Sequence, residues 1–423
     1  MQAATRVTND LTDNHREVCP LRIAVVSTHF PPRAGGTSVM AGTLARHHAA
    51  AGHDVLAITL AYQRAPAEET ADGIRVIRLP ARALPDNTIV SNFDLAFALR
   101  WGNGQRVDRI LNTFRPDIVH QHGQFYLTWL AGLWARRHQV PTVLTPHTRL
   151  RTPMRLLNVA LCGFDMLVVR PILAYLRPAR VVAIDTMFRK YLIQRYRVRD
   201  EQIVSVSAGV ELDRFQGVDV SAARACLARR WGLGAGPVIA SLGHVVPGRD
   251  RLALIEALPE VLARHPDTRV LVIGGVYDHR FRRRADDLGV ADAIVCAGTV
   301  PPDEIPGLLA AADMEVHDLR GLGIGVATLE AMAAGTPTVL GERSDYFPQA
   351  TLRDGEHTLL IEPADHTALA RAINHLIDNP ARAERIGECG QQWVRDHADM
   401  SSISAQYLAL MDDLTRNGRH TAR

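Results

Sequence analysis

Short apolar runs alternate with longer amphipathic stretches along this chain. "LRIAVVSTHF" is a short run rich in β-branched residues, "PPRAGG" follows it, and "TSVMAGTLARHHAAAGHDV" then carries apolar residues at helical spacing. The pattern predicts a strand, a glycine loop and a helix. "VLAITL", "IRVIRL", "DIVHQHG", "PTVLTPHT" and "ARVVAID" predict further strands, each separated by a helical or polar stretch. Such alternation implies a parallel sheet covered on both faces. The series breaks around residues 204–218, where "VSVSAGVELDRFQGVD" is polar and turn-rich. A second series starts at "GPVIASLGHVVPG" and runs through "TRVLVIGG", "DAIVCAGTV", "MEVHDL", "TPTVLGE" and "TLLIEP", with helices such as "RLALIEALPEVLARH" between them. The chain therefore reads as two consecutive doubly wound α/β units facing each other across a cleft, with ligands expected at the carboxyl ends of the strands.

Composition narrows the picture without changing it. A length of 423 residues favours two or three domains, and 47% hydrophobic with 22% charged residues is the make-up of a soluble globular protein. A formal charge of +3 demands no nucleic-acid partner. Cys19, Cys162, Cys226, Cys296 and Cys389 are scattered and never at metal-ligand spacing, so they read as reduced thiols filling a core in a cytoplasmic protein. Lys190 is the only lysine, so cationic ligand contacts must come from arginine or histidine. The first twenty residues lack an apolar segment of the kind that starts an exported chain and read as a frayed tail. "RLLNVALCGFDMLVVRPILAYL", residues 155–176, is the most apolar stretch; Arg155, Asp165 and Arg170 argue against a transmembrane helix and for buried or partly buried helices, with a surface helix that meets a lipid-linked substrate as the second reading.

"RGLGIGVATLEAMAAGTP", residues 320–337, is a glycine loop running into a helix that stops at Gly335 and Pro337. Gly321, Gly323 and Gly325 let a backbone approach a ligand, and the helix start aims N–H groups at an anion. The spacing is not the G-x-G-x-x-G of a dinucleotide site, and the loop lies late in its unit. Glu330, an acid in the first turns of an anion-binding helix, makes sense if a nucleotide-sugar rests there: the pyrophosphate on the helix start, the ribose hydroxyls on the carboxylate. His120 and His122 in "HQHG" have no carboxylate or cysteine at ligand spacing and read as packed strand-end histidines rather than a metal pair.

At these residues "LEAMAAGTPTV" resembles the signature of the retaining glycosyltransferases of family 4, and the resemblance extends roughly from Leu21 to Leu414 through "STHFPPRAGGTS", "PDIVHQHG", "VPTVLTPHT", "VSVSAGVELDRF", "SLGHVVPGRDRLALIEAL" and "DGEHTLLIEPADHTALARAI". It implies the GT-B fold of two facing Rossmann-like domains: a tail at 1–20, an acceptor domain at 21–215, a donor domain at 216–395, and at 396–423 a tail with a helix, "SSISAQYLALMDDL", crossing back to the first domain. Residue by residue, it implies that Gly35 and Gly36 close over the donor diphosphate, that His147 reaches the donor sugar and that Glu330 holds the ribose. Gly323, Ile324, Gly325 and Val326 form the helix start under the diphosphate. Arg249 stands where the family has a lysine on the pyrophosphate, and His244 where it has an arginine. The family's first glutamate, eight residues before Glu330, is replaced by Leu322, which leaves Asp318 and Arg320 as polar candidates for the sugar.

No Asp-x-Asp motif for a divalent metal is present, so the expected activity is metal-independent. The resemblance implies a retaining transferase of the hexosyl or N-acetylhexosaminyl type. Its donor is a nucleotide-sugar, uracil favoured over guanine, and its acceptor a glycan, a lipid-linked sugar or a small natural product. No other cofactor and no nucleic acid is expected. The location is cytoplasmic, with peripheral contact to the inner face of the membrane as an option, and the oligomeric state is not legible. The second reading is a relative with a decayed donor site that binds and turns nothing over.

Overall fold

The computed structural model describes residues 20–33, 35–81, 101–150, 155–246, 251–317, 319–320, 324–347 and 349–421. Among these residues fourteen strands fall into two sheets. The first sheet holds β1 (Arg22–Ser27), β2 (Asp54–Leu60), β3 (Glu68–Ala71), β4 (Ile74–Leu79), β5 (Ile118–His122), β6 (Thr142–Thr145), β7 (Arg180–Ala183) and β8 (Ile203–Ser205), in the order β3-β4-β2-β1-β5-β6-β7-β8. The second holds β9 (Val238–Leu242), β10 (Arg269–Ile273), β11 (Ile294–Gly298), β12 (Met314–Val316), β13 (Thr338–Leu340) and β14 (Leu359–Leu360), in the order β11-β10-β9-β12-β13-β14.

The central strands are buried on both faces, which is why they read as unbroken apolar runs instead of alternating ones. Ile23 and Val25 of β1 point into one layer with Met40 and Leu44 of the helix Gly36–Ala50, while Ala24 and Val26 point into the other with Leu111, Leu127 and Ala131. The second sheet is sandwiched in the same manner, Ala240 and Leu271 facing one core and Ile239, Val270 and Val272 the other.

Two strands escape the apolar-run reading. β3 is an antiparallel edge strand on β4, joined to it by Asp72 and Gly73, both at positive φ (51° and 75°), so the first sheet is not wholly parallel. The Asp-Gly pair is the hairpin signal that gives it away. β8 lies inside the stretch read as polar junction and pairs parallel with β7.

Three further expectations are corrected or completed. The four described cysteines do not fill a core: Cys162 and Cys226 are half-buried, and Cys296, on the edge strand β11, and Cys389 are exposed. Residues 155–176 are helical and partly buried, since only one stripe of them touches the domain. The final helix, Met400–Thr421, packs on the first unit, where Met400, Ile403, Tyr407 and Met411 share a core with β1 and the helix Gly36–Ala50. The tail at 1–19 lies outside the described residues.

Candidate active site

Each sheet has a point where the strand order reverses, between β1 and β5 in the first and between β9 and β12 in the second. Loops diverge there and leave a crevice at the carboxyl ends. In the first unit that crevice is bounded by the loop from β1 to Gly35 and by His122, which pairs in register with Ser27. Gly35 has φ 136° and ψ 150°, a region that essentially only glycine occupies, and a Cβ there would meet nothing within 4 Å. Conformation rather than space therefore fixes the residue type ahead of the helix that starts at Gly36.

His147 follows β6 and sits beside His122: His147 Nε2 lies 3.1 Å from His122 Nδ1, with the rings stacked at 5.3 Å. One of the two nitrogens must donate, so the contact ties the tautomers of the two rings together. Behind them His120 packs 4.1 Å from His122 and holds Thr145 Oγ1 at 3.0 Å, and His48 holds Ser404 of the final helix at 3.1 Å. All four rings are driven to the neutral form by burial: His147 is lowered to about 4, with His29 adding to the effect, and His48 to about 3. A neutral His147 offers the crevice a dipole and a lone pair without a fixed positive charge.

In the second unit His244 follows β9, and the helix Val326–Ala333 follows β12, so the two flank the reversal point. Gly325 is the residue ahead of that helix, and its carbonyl accepts from Thr328 and Leu329. Ile324 is buried and holds the loop down on the core. Val326 opens the helix half-exposed, and Arg320 is half-buried on the same loop. His244 is exposed; its Nδ1 accepts the Gly275 N–H at 2.9 Å, and its ring meets Tyr277 edge-on.

Glu330 keeps 15% of its side chain exposed and accepts from Arg214 Nη1 at 2.9 Å on Oε1. Arg214 also donates to the Pro302 carbonyl at 2.7 Å, which fixes its fork. Burial raises the Glu330 carboxyl above its ordinary range; Arg214 pulls it back and Glu211 pushes it further up. Glu211 in turn takes Arg46 on both oxygens, at 3.0 and 3.1 Å. Two ion pairs, Glu330–Arg214 and Glu211–Arg46, thus flank the short turn in which the Arg214 N–H donates to the Glu211 carbonyl at 3.3 Å.

The carboxyl ends of the two sheets meet. Asp185, beyond β7, accepts the Phe188 N–H on Oδ1 and the Tyr346 hydroxyl on Oδ2, each at 2.5 Å, while Tyr346 lies beyond β13. Thr186 donates its N–H to the Tyr346 carbonyl at 3.0 Å and its hydroxyl to the Asp345 carbonyl at 2.8 Å.

The structure therefore brings Gly35, Gly36, His122 and His147 to one reversal point and His244, Ile324, Gly325, Val326 and Glu330 to the other. Asp318, Leu322, Gly323 and Arg249 lie outside the described residues. Sequence reasoning missed Arg214, 116 residues from its partner, for which no local pattern gives a signal. It also passed over the contact of His122 with His147; the two histidines at matched strand ends, two residues past "VLT" and at the end of "IVHQH", are the only hint. Among the described residues no three potential metal ligands converge.

Comparison with known proteins gives these features a family. Residues 34–214 match the model of glycosyltransferase family 4, and residues 231–393 match that of glycosyl transferases group 1. The chain is 36% identical over 223 residues to a GDP-mannose-dependent alpha-(1-6)-phosphatidylinositol monomannoside mannosyltransferase of Mycolicibacterium smegmatis, a match spanning 51% of the chain and 56% of that relative. It is 29% identical to a D-inositol 3-phosphate glycosyltransferase of Acidothermus cellulolyticus, over 90% of the chain and 88% of the relative. Among solved structures, sucrose-phosphate synthase from Thermosynechococcus elongatus superposes with TM-score 0.73 at 24% identity, covering 94% of this chain and all of that one. Anabaena HepE in complex with UDP superposes with TM-score 0.71 at 17% identity, covering 93% and 100%. The two sheets with their crevices at the carboxyl ends are the GT-B fold, and this chain belongs to glycosyltransferase family 4, a sugar-transferring enzyme.

Proposed function

We propose that the enzyme takes a nucleoside-diphosphate sugar in the second unit and passes its sugar, with retention and without a metal, to an acceptor bound by the first. The observation that carries this reading is the placing of Glu330: a largely buried carboxylate with one oxygen held by Arg214, in a helix whose start lies at the strand-order reversal. Oε1 is committed to Arg214, which leaves Oε2 to accept from ribose hydroxyls, while the helix start at Gly325 faces the diphosphate. Charge building on the departing phosphate is met by that helix start, by Arg249 and by the Gly35–Gly36 loop. His147, kept neutral, supports the sugar as the bond to the phosphate breaks. Attack comes from the face the phosphate leaves, and the phosphate takes the acceptor's proton, so no protein nucleophile is needed. The acceptor class is a glycan, a lipid-linked sugar or a hydroxylated small molecule.

Uracil is the base expected from the sequence, whereas the mannosyltransferase relative takes GDP-mannose by name and HepE was solved with UDP. Calorimetric titration with UDP and with GDP, each with magnesium and with a chelator, separates these. The expected result is metal-independent binding of one nucleotide that is lost in Glu330→Ala. Binding that requires magnesium overturns metal independence, unchanged affinity in the variant overturns the site, and no binding of either nucleotide favours a decayed donor site.

A further inference from the structure

The segment Arg155–Leu176 is helical from end to end, passing through one π-helical turn at Asp165–Val169. Its buried residues, Asp165, Val169, Leu173 and Leu176, fall on a single stripe, and none of 155–164 is buried. A helix that serves a soluble core turns polar groups outward. This one turns out Leu156, Leu167 and Val159, exposed by 88%, 78% and 70%, together with Met166 and Tyr175. The apolar surface continues into a groove against the helix Tyr126–Arg137, where Trp129, Leu130 and Leu133 face Leu167, Pro171 and Tyr175.

The charge around this surface has one sign. Of the four charged residues from 155 to 177, the only acid, Asp165, is fully buried and bonded by Tyr191 and Tyr196. Arg155 and Arg177 stand exposed at the two ends, Arg170 is half-exposed between them, and Arg136 lies over the Tyr175 ring at 4.3 Å. A second copy of the chain meeting this face about a two-fold axis would set arginine against arginine. Insertion across a bilayer would drag Asp165 away from its two tyrosines. An anionic surface with an apolar layer beneath it satisfies both the arginines and the exposed side chains.

We propose that this face docks on an anionic phospholipid bilayer, with Leu156, Val159 and Leu167 entering the acyl boundary and the flanking arginines at the lipid phosphates. The helix lies in the plane of the interface and does not span it. The docking does not depend on the catalytic reading, but it has a bearing on it: the helix Tyr126–Arg137 that walls the groove begins just past His122, so a membrane-held acceptor would be delivered to the His147 side of the cleft.

The test is co-sedimentation of the full chain with phosphatidylcholine vesicles and with vesicles that also contain phosphatidylglycerol, at low and high salt. The wild type is expected to pellet with the phosphatidylglycerol vesicles only, and salt should weaken it by screening. The double variant Leu156→Gln, Leu167→Gln should lose roughly tenfold in vesicle affinity. Its melting temperature and nucleotide binding should be unchanged, since both side chains already face water. Equal behaviour on the two vesicle types, no pelleting at all, or unaltered pelleting of the double variant would overturn the proposal. So would a dimer that the double variant splits without any effect on vesicles, which would make the face a self-contact.

Discussion

Arg214 and Glu330 show how one contact can set the working state of a site. Ionised, Glu330 accepts on both oxygens and donates nothing, yet burial favours its neutral form and Glu211 favours it further; Arg214 is the opposing force. In Arg214→Ala the carboxyl rises further, so the acid limb of nucleotide binding should move to higher pH, and affinity near neutrality should fall about tenfold, the order expected for one charge-assisted hydrogen bond. Titrations over a pH series read both quantities. An acid limb that stays in place would mean that the nucleotide does not meet Glu330. The same residue measures what the sequence can convey. Glu330 was legible because an acid is out of character at an anion-binding helix start. Arg214 was not, because its role exists only once the junction segment has folded against a helix more than a hundred residues away. His147 was legible only through resemblance, and its neutral state follows from packing among other histidines, which no spacing encodes.

At the level of elements, the apolar runs of β1, β2 and β9 announced themselves because both faces of each strand are buried. β3 and β8 did not, since an edge strand and a short strand under a junction bury too little to leave a pattern. The helix at 155–176 could be read as partly buried, but composition does not tell which stripe its neighbours cover. Contacts between elements also carry a pH signature. His48, in the helix Gly36–Ala50, is fully buried against Ser404 of the final helix and is lowered to about 3; His147 is lowered to about 4. A folded value below the ordinary 6.5 means that the unfolded chain takes the proton first, so these groups add stability as pH rises. Their contribution is complete above about 6.5 and is lost as pH falls toward about 4 and then about 3. Each fully buried histidine steepens that loss by up to about 1.4 kcal/mol per pH unit. His48→Gln keeps a partner for Ser404 and removes one titrating group, so urea unfolding between pH 4 and 6.5 should show a shallower dependence than the wild type; an identical slope would mean that His48 is protonated in the folded state.

For the molecule as a whole, the contacts that join the two units include Asp185 with Tyr346 at the cleft, Arg214 with Glu330, and the final helix. The last has a consequence for how the protein is born. Met400, Ile403, Tyr407 and Met411 complete the core beneath β1, yet they follow the whole of the second unit in the sequence. Chains of this kind usually finish their N-terminal domain first. Here the first unit waits, with Leu44 and Val25 short of neighbours, while the second, whose cores end at Ala398, can close ahead of it. Stalled nascent chains ending at residue 398 should therefore be cut by protease in the first unit and resist in the second, and chains ending beyond residue 411 should resist in both. Protection of the first unit in the shorter chains would show that it needs no help from the end. If it does need that help, a chain cut after the second unit holds one sound unit and one unfinished one, so that the final helix makes the first unit the later of the two to fold.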